Sequence, residues 1–322
     1  MKKLFIILVL SAALLFSSCS VKTETTSYAM DTFLTQELYG NTGSLAAEQN
    51  EKTVLEIENA VSSHLPASQI SKLNEDGAGT LDGIAGEIFS EAVSAAESTG
   101  GAFDPSLGNI IDLWDIDGGS ELVPSEQQIS EALSLSGCGR IETNGEKIYL
   151  NGTRIDLGGI AKGYALDRMA ENCRTSGIES GLIDFGGSIA AIGNRPDGSK
   201  WTVGIKDPNS QGGVAATVKL SDAFVSTSGI YERYFEKNGK IYHHIFDPET
   251  GKPVDNGLAG VSVVSDSGIL TDIMSTALFA MGADKGLAYS EDNSIAAVFI
   301  SKDGEISVST AMGDYGFEKR GQ

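Results

Sequence analysis

The sequence predicts an α+β fold, a mixed α/β architecture with flanking helices and largely antiparallel strand pairing. Three observations carry that prediction. Strand-like and helix-like patterns alternate through the first half of the chain. The second half is richer in short strands, with one strong helix at 269–281 among them. The last two strands, 295–300 and 305–310, are joined by Lys302-Asp303-Gly304, a hairpin turn that makes neighbours antiparallel.

The elements follow in order. Residues 28–39 read as a strand. Leu45, Val54, Leu55, Ile57 and Val61 recur near helical spacing and predict a helix over 44–63. A second helix is predicted over 85–99, closed by Gly100-Gly101. A third covers 125–136, with Ser125 as cap and Pro124 ahead of it. Lys147–Leu150 and Thr153–Leu157 read as short strands around Asn151-Gly152. A helix over 160–176 ends at Gly177. Further strands are predicted at 181–192, 200–206, 214–219, 241–246 and 259–265. The Gly/Asp-rich segment 115–121 reads as a surface loop, and no linker divides the chain.

Composition bounds the function. The 322 residues suffice for a sizeable core. With 23 Lys+Arg against 44 Asp+Glu, the net charge of −21 disfavours a general basic face for nucleic acid. A local cation or helix start can still hold phosphate in so acidic a protein. Three cysteines give no disulfide framework and no metal-ligand spacing. The N-terminus has Lys2 and Lys3, then an apolar run from Leu4 to Phe16, then Ser17, Ser18 and Cys19. This reads as a lipoprotein signal peptide over 1–18, a lipidated Cys19, a polar tether over 19–27 and a globular domain over 28–322. A plain secretory signal is the other reading.

Five segments are unlike ordinary packing sequence. From Asp156 to Asp167 a strand runs into Gly158-Gly159, and Lys162 follows in the first turn of a helix. Such a start presents unpaired N–H groups to an anion, although a tight strand-to-helix turn has the same pattern. Asp184-Phe-Gly-Gly-Ser188 suggests a bulge, or a ligand lying against backbone. Val225-Ser-Thr-Ser-Gly-Ile-Tyr-Glu-Arg233 offers hydroxyls to a phosphate, with a solvated turn as the better reading. In His243-His244-Ile-Phe-Asp247, neighbouring strand residues face opposite ways, so one histidine at most faces a site. Last, Asp272, Ser275 and Thr276 stand at i, i+3 and i+4 of a helix start. These oxygen donors suit a hard cation such as Mg²⁺; helix capping is the alternative.

Taken together and in order, these segments resemble the ApbE family of FAD:protein FMN transferases over residues 28–312. Met30-Asp31-Thr32, Ser68–Asn74 and Gly101–Gly108 followed by Leu113-Trp114 complete the resemblance. It implies a T-fold-related architecture and a reaction in which FAD is cleaved with Mg²⁺ and FMN is joined to a Thr or Ser hydroxyl. The implied partners are acceptor flavoproteins, such as flavin subunits of membrane redox complexes, on the side of the membrane where a lipid anchor would hold this chain. Asp272, Thr276 and the Gly159 carbonyl match the metal ligands, and Ser275 stands where some members have Asp. Met30, Ala102, Phe103, Asp104, Asp156, Lys162 and Ile245 match flavin- or nucleotide-contacting positions. His244 matches the histidine near the pyrophosphate, as base or orienter of the attacking hydroxyl, with Lys162 assisting. His64 replaces a Tyr that helps enclose the ligand, and Lys162 stands where some members carry Glu. A looser enclosure would favour water as nucleophile, so FAD hydrolysis to FMN and AMP is the alternative activity, and a non-catalytic flavin carrier is another.

Overall fold

A computed structural model describes residues 21–119, 121–210 and 212–320. Residues 1–18, with Cys19, therefore lie outside the described residues. The chain runs β1 (Lys22–Ala29), β2 (Thr32–Tyr39), α1 (Gly43–Val61), α2 (Gln69–Asp76), β3 (Ala78–Gly79), α3 (Gly83–Ser98), α4 (Gly108–Trp114) and α5 (Glu126–Ser134). It continues with β4 (Glu142–Asn144), β5 (Lys147–Tyr149), α6 (Gly158–Thr175), β6 (Ser180–Phe185), β7 (Ser188–Ile192), β8 (Trp201–Lys206), β9 (Val214–Leu220) and β10 (Ala223–Gly229). Then come β11 (Tyr234–Lys237), β12 (Lys240–His243), β13 (Leu258–Ser265), α7 (Gly268–Met281), α8 (Ala283–Asp292), β14 (Ala296–Ser301), β15 (Ile306–Val308) and β16 (Glu318–Lys319).

The main sheet has eight strands in the order β1-β2-β6-β7-β10-β13-β14-β15, all antiparallel to their neighbours. One face carries α1, α6 and α7. Leu34 and Leu38 of β2, Ile183 of β6, and Val261 and Val263 of β13 bury against those helices. Each such side chain contributes about 1.5–3 kcal/mol through removal from water. The other face is covered only in part, by the small sheet β16-β9-β8. There Trp201, Val203 and Val218 pack on Val225, Val264 and Val298. Strand β13 is sandwiched between both layers, which explains why it is buried from Leu258 to Val264. A third cluster joins Ile110 and Trp114 of α4 to Ile129 of α5 and to Phe246. The Trp114 indole N–H donates to the Gly251 carbonyl at 2.9 Å, fixing this small body to the main one.

The structure corrects several expectations. The predicted strand over 28–39 is the hairpin β1–β2, turning at Met30 and Asp31, both at positive φ. The tether assigned to 19–27 is correspondingly shorter, because residues from Lys22 onward already pair in β1. The run 181–192 is also a hairpin: Gly186 and Gly187 turn β6 into β7 rather than forming a bulge. Segment 225–229 belongs to the central strand β10, not to a solvated turn. Lys147–Tyr149 pairs with β4 and β3, and 153–157 joins no ladder beyond a single bridge from Arg154 to Leu107. In each case one register of alternation spans two strands, or a polar strand hides behind its serines and threonines.

Candidate functional site

The tips of β1–β2 and β6–β7, the start of α6, the face of α7 and the α4–α5 body enclose one cleft of about 700 Å³. The two hairpin tips touch: a side chain on Gly186 would meet Thr32 Oγ1 at 2.5 Å, and its φ of +64° also excludes most residues.

Helices α6 and α7 set the floor. Asp167 of α6 accepts the amides of Gly268 at 2.7 Å and Ile269 at 2.9 Å, capping α7 from its neighbour. Burial pushes the Asp167 carboxyl up, while these amides oppose the rise. The helices approach so closely at Gly163 that an added Cβ would collide with the Gly268 carbonyl and lie 2.7 Å from Asp272 Cβ. This contact lets the Gly163 amide donate to Asp272 Oδ2 at 2.9 Å. Asp272 is itself buried, and its Oδ1 lies 3.8 Å from Lys162 Nζ. One turn along α7, Thr276 Oγ1 is 3.2 Å from Ser228 Oγ and 3.6 Å from the point where a Cβ on Gly159 would sit. Asp272, Thr276 and Gly159 thus face one space.

Their chemistry fits a hard cation. All three offer oxygen, and all three line the cleft. Among the described residues no group of three His, Cys, Asp or Glu is placed to hold a metal, so a nitrogen–sulfur site of the zinc type is not built here. One carboxylate with hydroxyl and carbonyl oxygens suits a cation that keeps waters and takes further ligands from a substrate's phosphates. Ser275 departs from the expectation. It is fully buried, does not line the cleft, and bonds to Ser228 Oγ at 2.9 Å and the Asp272 carbonyl at 3.0 Å. It braces Ser228 behind Thr276.

The start of α6 lies at the same floor. Leu157 caps it without a side-chain bond; its carbonyl takes the amides of Ile160 at 3.2 Å and Ala161 at 3.0 Å. The helix begins at Gly158 rather than at 160, so Lys162 stands in its second turn. Asp156 accepts the Gly158 amide at 2.9 Å through Oδ1 and the Ser63 hydroxyl at 2.7 Å through Oδ2, tying this loop to the end of α1. Asp104 Oδ1 accepts the Ser106 amide at 2.8 Å and the Cys138 thiol at 3.3 Å, which sets the turn presenting Ala102 and Phe103. Burial and the adjoining Asp104 push the Cys138 thiol up to about 12.

The histidines divide as strand alternation requires. His243 is buried against Phe279, with Nε2 at 2.9 Å from the Val254 carbonyl. His244 and Ile245 line the cleft. His244 Nδ1 lies 3.3 Å from the Arg233 carbonyl. A carbonyl only accepts, so Nδ1 carries the proton and Nε2 is left as an acceptor. Desolvation, then the Arg233 charge, lower His244 to about 3, so the ring is neutral at physiological pH.

Met30 and His64 stand at the rim; the Met30 amide donates to Glu58 Oε1 at 3.0 Å, and His64 is exposed. Among the described residues, every site residue predicted from the sequence thus lines this cleft except Ser275. Sequence reasoning missed Glu58, Lys206 and Glu232. Lys206 Nζ sits 4.3 Å from the Tyr231 ring centroid, and Arg233 Nη1 bonds Asp117 at 3.0 Å across the cleft mouth. With Lys162 they bring three cations to one face of an acidic protein. Glu232 projects among them. Desolvation by the surrounding walls pushes its carboxyl up to about 7; Lys162 opposes this and Asp272 adds to it, although solvent reaches the side chain through the cleft. Glu58 lies in the last turn of a helix, Lys206 ends a strand and Glu232 stands in a turn, so no shared spacing links them, which is why these three were not legible.

An all-antiparallel main sheet with helices on one face and an oxygen-lined cleft floor makes this an α+β protein of the kind seen in flavin transferases. The ApbE family model matches residues 30–299, and the chain belongs to that family. It is 31% identical to a FAD:protein FMN transferase of Haemophilus influenzae over 93% of each chain. It is 34% identical to one of Klebsiella pneumoniae over 70% of this chain and 71% of that one. Among solved structures, the ApbE protein of Thermotoga maritima superposes with a TM-score of 0.86 at 30% identity, covering 94% of this chain and all (100%) of that one. The apo flavinyl transferase ApbE of Pseudomonas stutzeri superposes with a TM-score of 0.82 at 28% identity, covering 92% and 97%. The mixed fold with antiparallel sheets and flanking helices is the one the sequence predicts.

Proposed function

We propose that this chain is a magnesium-dependent FAD:protein FMN transferase, tethered outside the cytoplasm through lipid on Cys19. The observation that carries this reading is the meeting of Asp272, Thr276, Gly159, Lys162 and His244 in one cleft large enough for a dinucleotide. The names of its relatives fit that chemistry. Mg²⁺ held by Asp272, Thr276 and the Gly159 carbonyl would neutralise charge on the two phosphates. The start of α6 and Lys162 face the pyrophosphate, while Met30, Ala102 and Phe103 offer an apolar wall to the flavin.

In the reaction, a Ser or Thr hydroxyl of the acceptor attacks the FMN-side phosphorus. A new O–P bond forms, the bond to the bridging oxygen breaks, AMP leaves with that oxygen, and the hydroxyl's proton passes through the departing phosphate to water. His244 Nε2 accepts a hydrogen bond from the attacking hydroxyl. Phosphoryl transfer of this kind passes through a loose transition state in which the nucleophile's proton leaves late, so an orienting acceptor of low basicity suffices. Acceptors are flavoproteins, with flavin subunits of membrane redox complexes as the class reached from a lipid anchor.

Incubation of the mature protein with FAD, Mg²⁺ and such a subunit tests the reading. A mass gain of one FMN on the acceptor, with AMP released, is expected. AMP and free FMN without acceptor labelling would mean hydrolysis, and intact bound FAD would mean carriage. Asp272→Ala should lower turnover by about 10²–10³-fold, the loss expected when several kcal/mol of phosphate charge stabilisation is removed. Unchanged turnover would overturn the metal assignment.

A further inference from the structure

The reading above supplies FAD with a cleft but leaves the second substrate, a folded protein, without a surface. The helix-free face of the main sheet has one uncovered region, at the cleft end of β1 and β2. Tyr28 and Phe33 are direct cross-strand partners there, 61% and 64% exposed, with ring centroids 5.5 Å apart in an edge-to-face pair. The alternation that buries Leu34 and Leu38 against the helices turns Phe33 and Thr35 to this other face. Thr26 pairs with Thr35, and Thr35 with the exposed Asp184, extending the surface across β1, β2 and β6. At its far end Tyr39 packs on Trp201, where β8 takes over the cover. The bare half therefore ends at the β1–β2 turn, whose Met30, Asp31 and Thr32 line the cleft.

We propose that this aromatic platform docks the acceptor flavoprotein, and that the acceptor segment bearing the hydroxyl passes from it over Met30 and Asp31 into the cleft. The inference rests on the transferase reading. Its support is continuity: the exposed ring pair stands two residues or fewer from cleft-lining backbone on both strands. Paired aromatics of this kind are the side chains that anchor protein interfaces. β1 is also an edge strand, so its outer backbone groups are open to a partner's extended chain. Val21 precedes β1 at the end remote from the platform, about 24 Å away for seven residues of strand.

The test uses the mature protein, FAD, Mg²⁺ and a flavin-subunit acceptor domain. The double substitution Tyr28→Ser/Phe33→Ser should raise KM for the acceptor about tenfold or more while leaving kcat at saturating acceptor and FAD binding within about twofold. Tyr28→Phe/Phe33→Tyr should restore the parent KM, and Leu45→Ser, which is as exposed but lies on α1, should not move it. An unchanged KM in the double variant overturns the docking surface while the transferase reading stands. Absence of labelling by the parent protein overturns both. A photo-crosslinking benzoylphenylalanine in place of Phe33 should yield a one-to-one adduct with the acceptor. An adduct with a second copy of this chain, or with its own N-terminal segment, assigns the platform to that occupant and overturns the proposal.

Discussion

Asp272 illustrates how one side chain is fixed by groups that sequence spacing does not reveal. The i, i+3, i+4 pattern brought Asp272, Ser275 and Thr276 together on one helix, but only Asp272 and Thr276 reach the cleft. Ser275 turns to the packed side because Ser228 of β10 lies there to receive it. The same holds for His243 and His244, whose opposite roles were legible from strand alternation. His244 gives a prediction about pH. Desolvation lowers it from 6.5 to about 3 in the folded protein. Between those values the unfolded chain holds more protons, so the stability tied to this neutral ring is full above about pH 6.5 and is lost as pH falls toward 3. His244→Asn should therefore lose less Tm than the parent over that interval; equal slopes of Tm against pH would refute the assignment.

At the scale of elements, periodicity located the long helices well. α1, α3, α6 and α7 lie within about two residues of their predicted spans, because each buries a broad apolar stripe. It failed where pairs of glycines or positive-φ residues fold one apparent strand into two, and where β10 reads as Ser-Thr-Ser although it is central and buried. There the deciding contacts are hydroxyl bonds across the sheet, Ser226 to Thr271 at 2.9 Å and Thr227 to Ser262 at 2.7 Å, between residues far apart in sequence. The α6–α7 crossing makes the matching prediction. Gly163→Ala forces a methyl into the Gly268 carbonyl and against Asp272, and should cost about 1–3 kcal/mol or more of stability by overpacking. It should also displace the carboxylate that Gly163 holds. Thermal unfolding and turnover measured together would check both, and a variant with parent Tm and parent turnover would show that the helices do not meet as tightly as described.

For the whole molecule, the class of fold was legible because strand-rich sequence with a hairpin turn leaves little alternative to antiparallel pairing. The order of strands was not, since β2 beside β6 and β7 beside β10 are pairings that no local pattern encodes. The same non-local order builds the cleft. Its walls come from the β1–β2 turn, the end of α1, the turn at Ala102–Pro105, the start of α6, the Thr227–Arg233 segment, His244–Phe246 and α7, from Met30 to Thr276. No short fragment of the chain contains a working share of it. Nucleotide binding should thus be the last property to return when the denatured protein is diluted from urea, lagging the recovery of helical circular dichroism, because distant segments close slowly. For a cell this amounts to a safeguard: a half-assembled molecule has no means of consuming flavin.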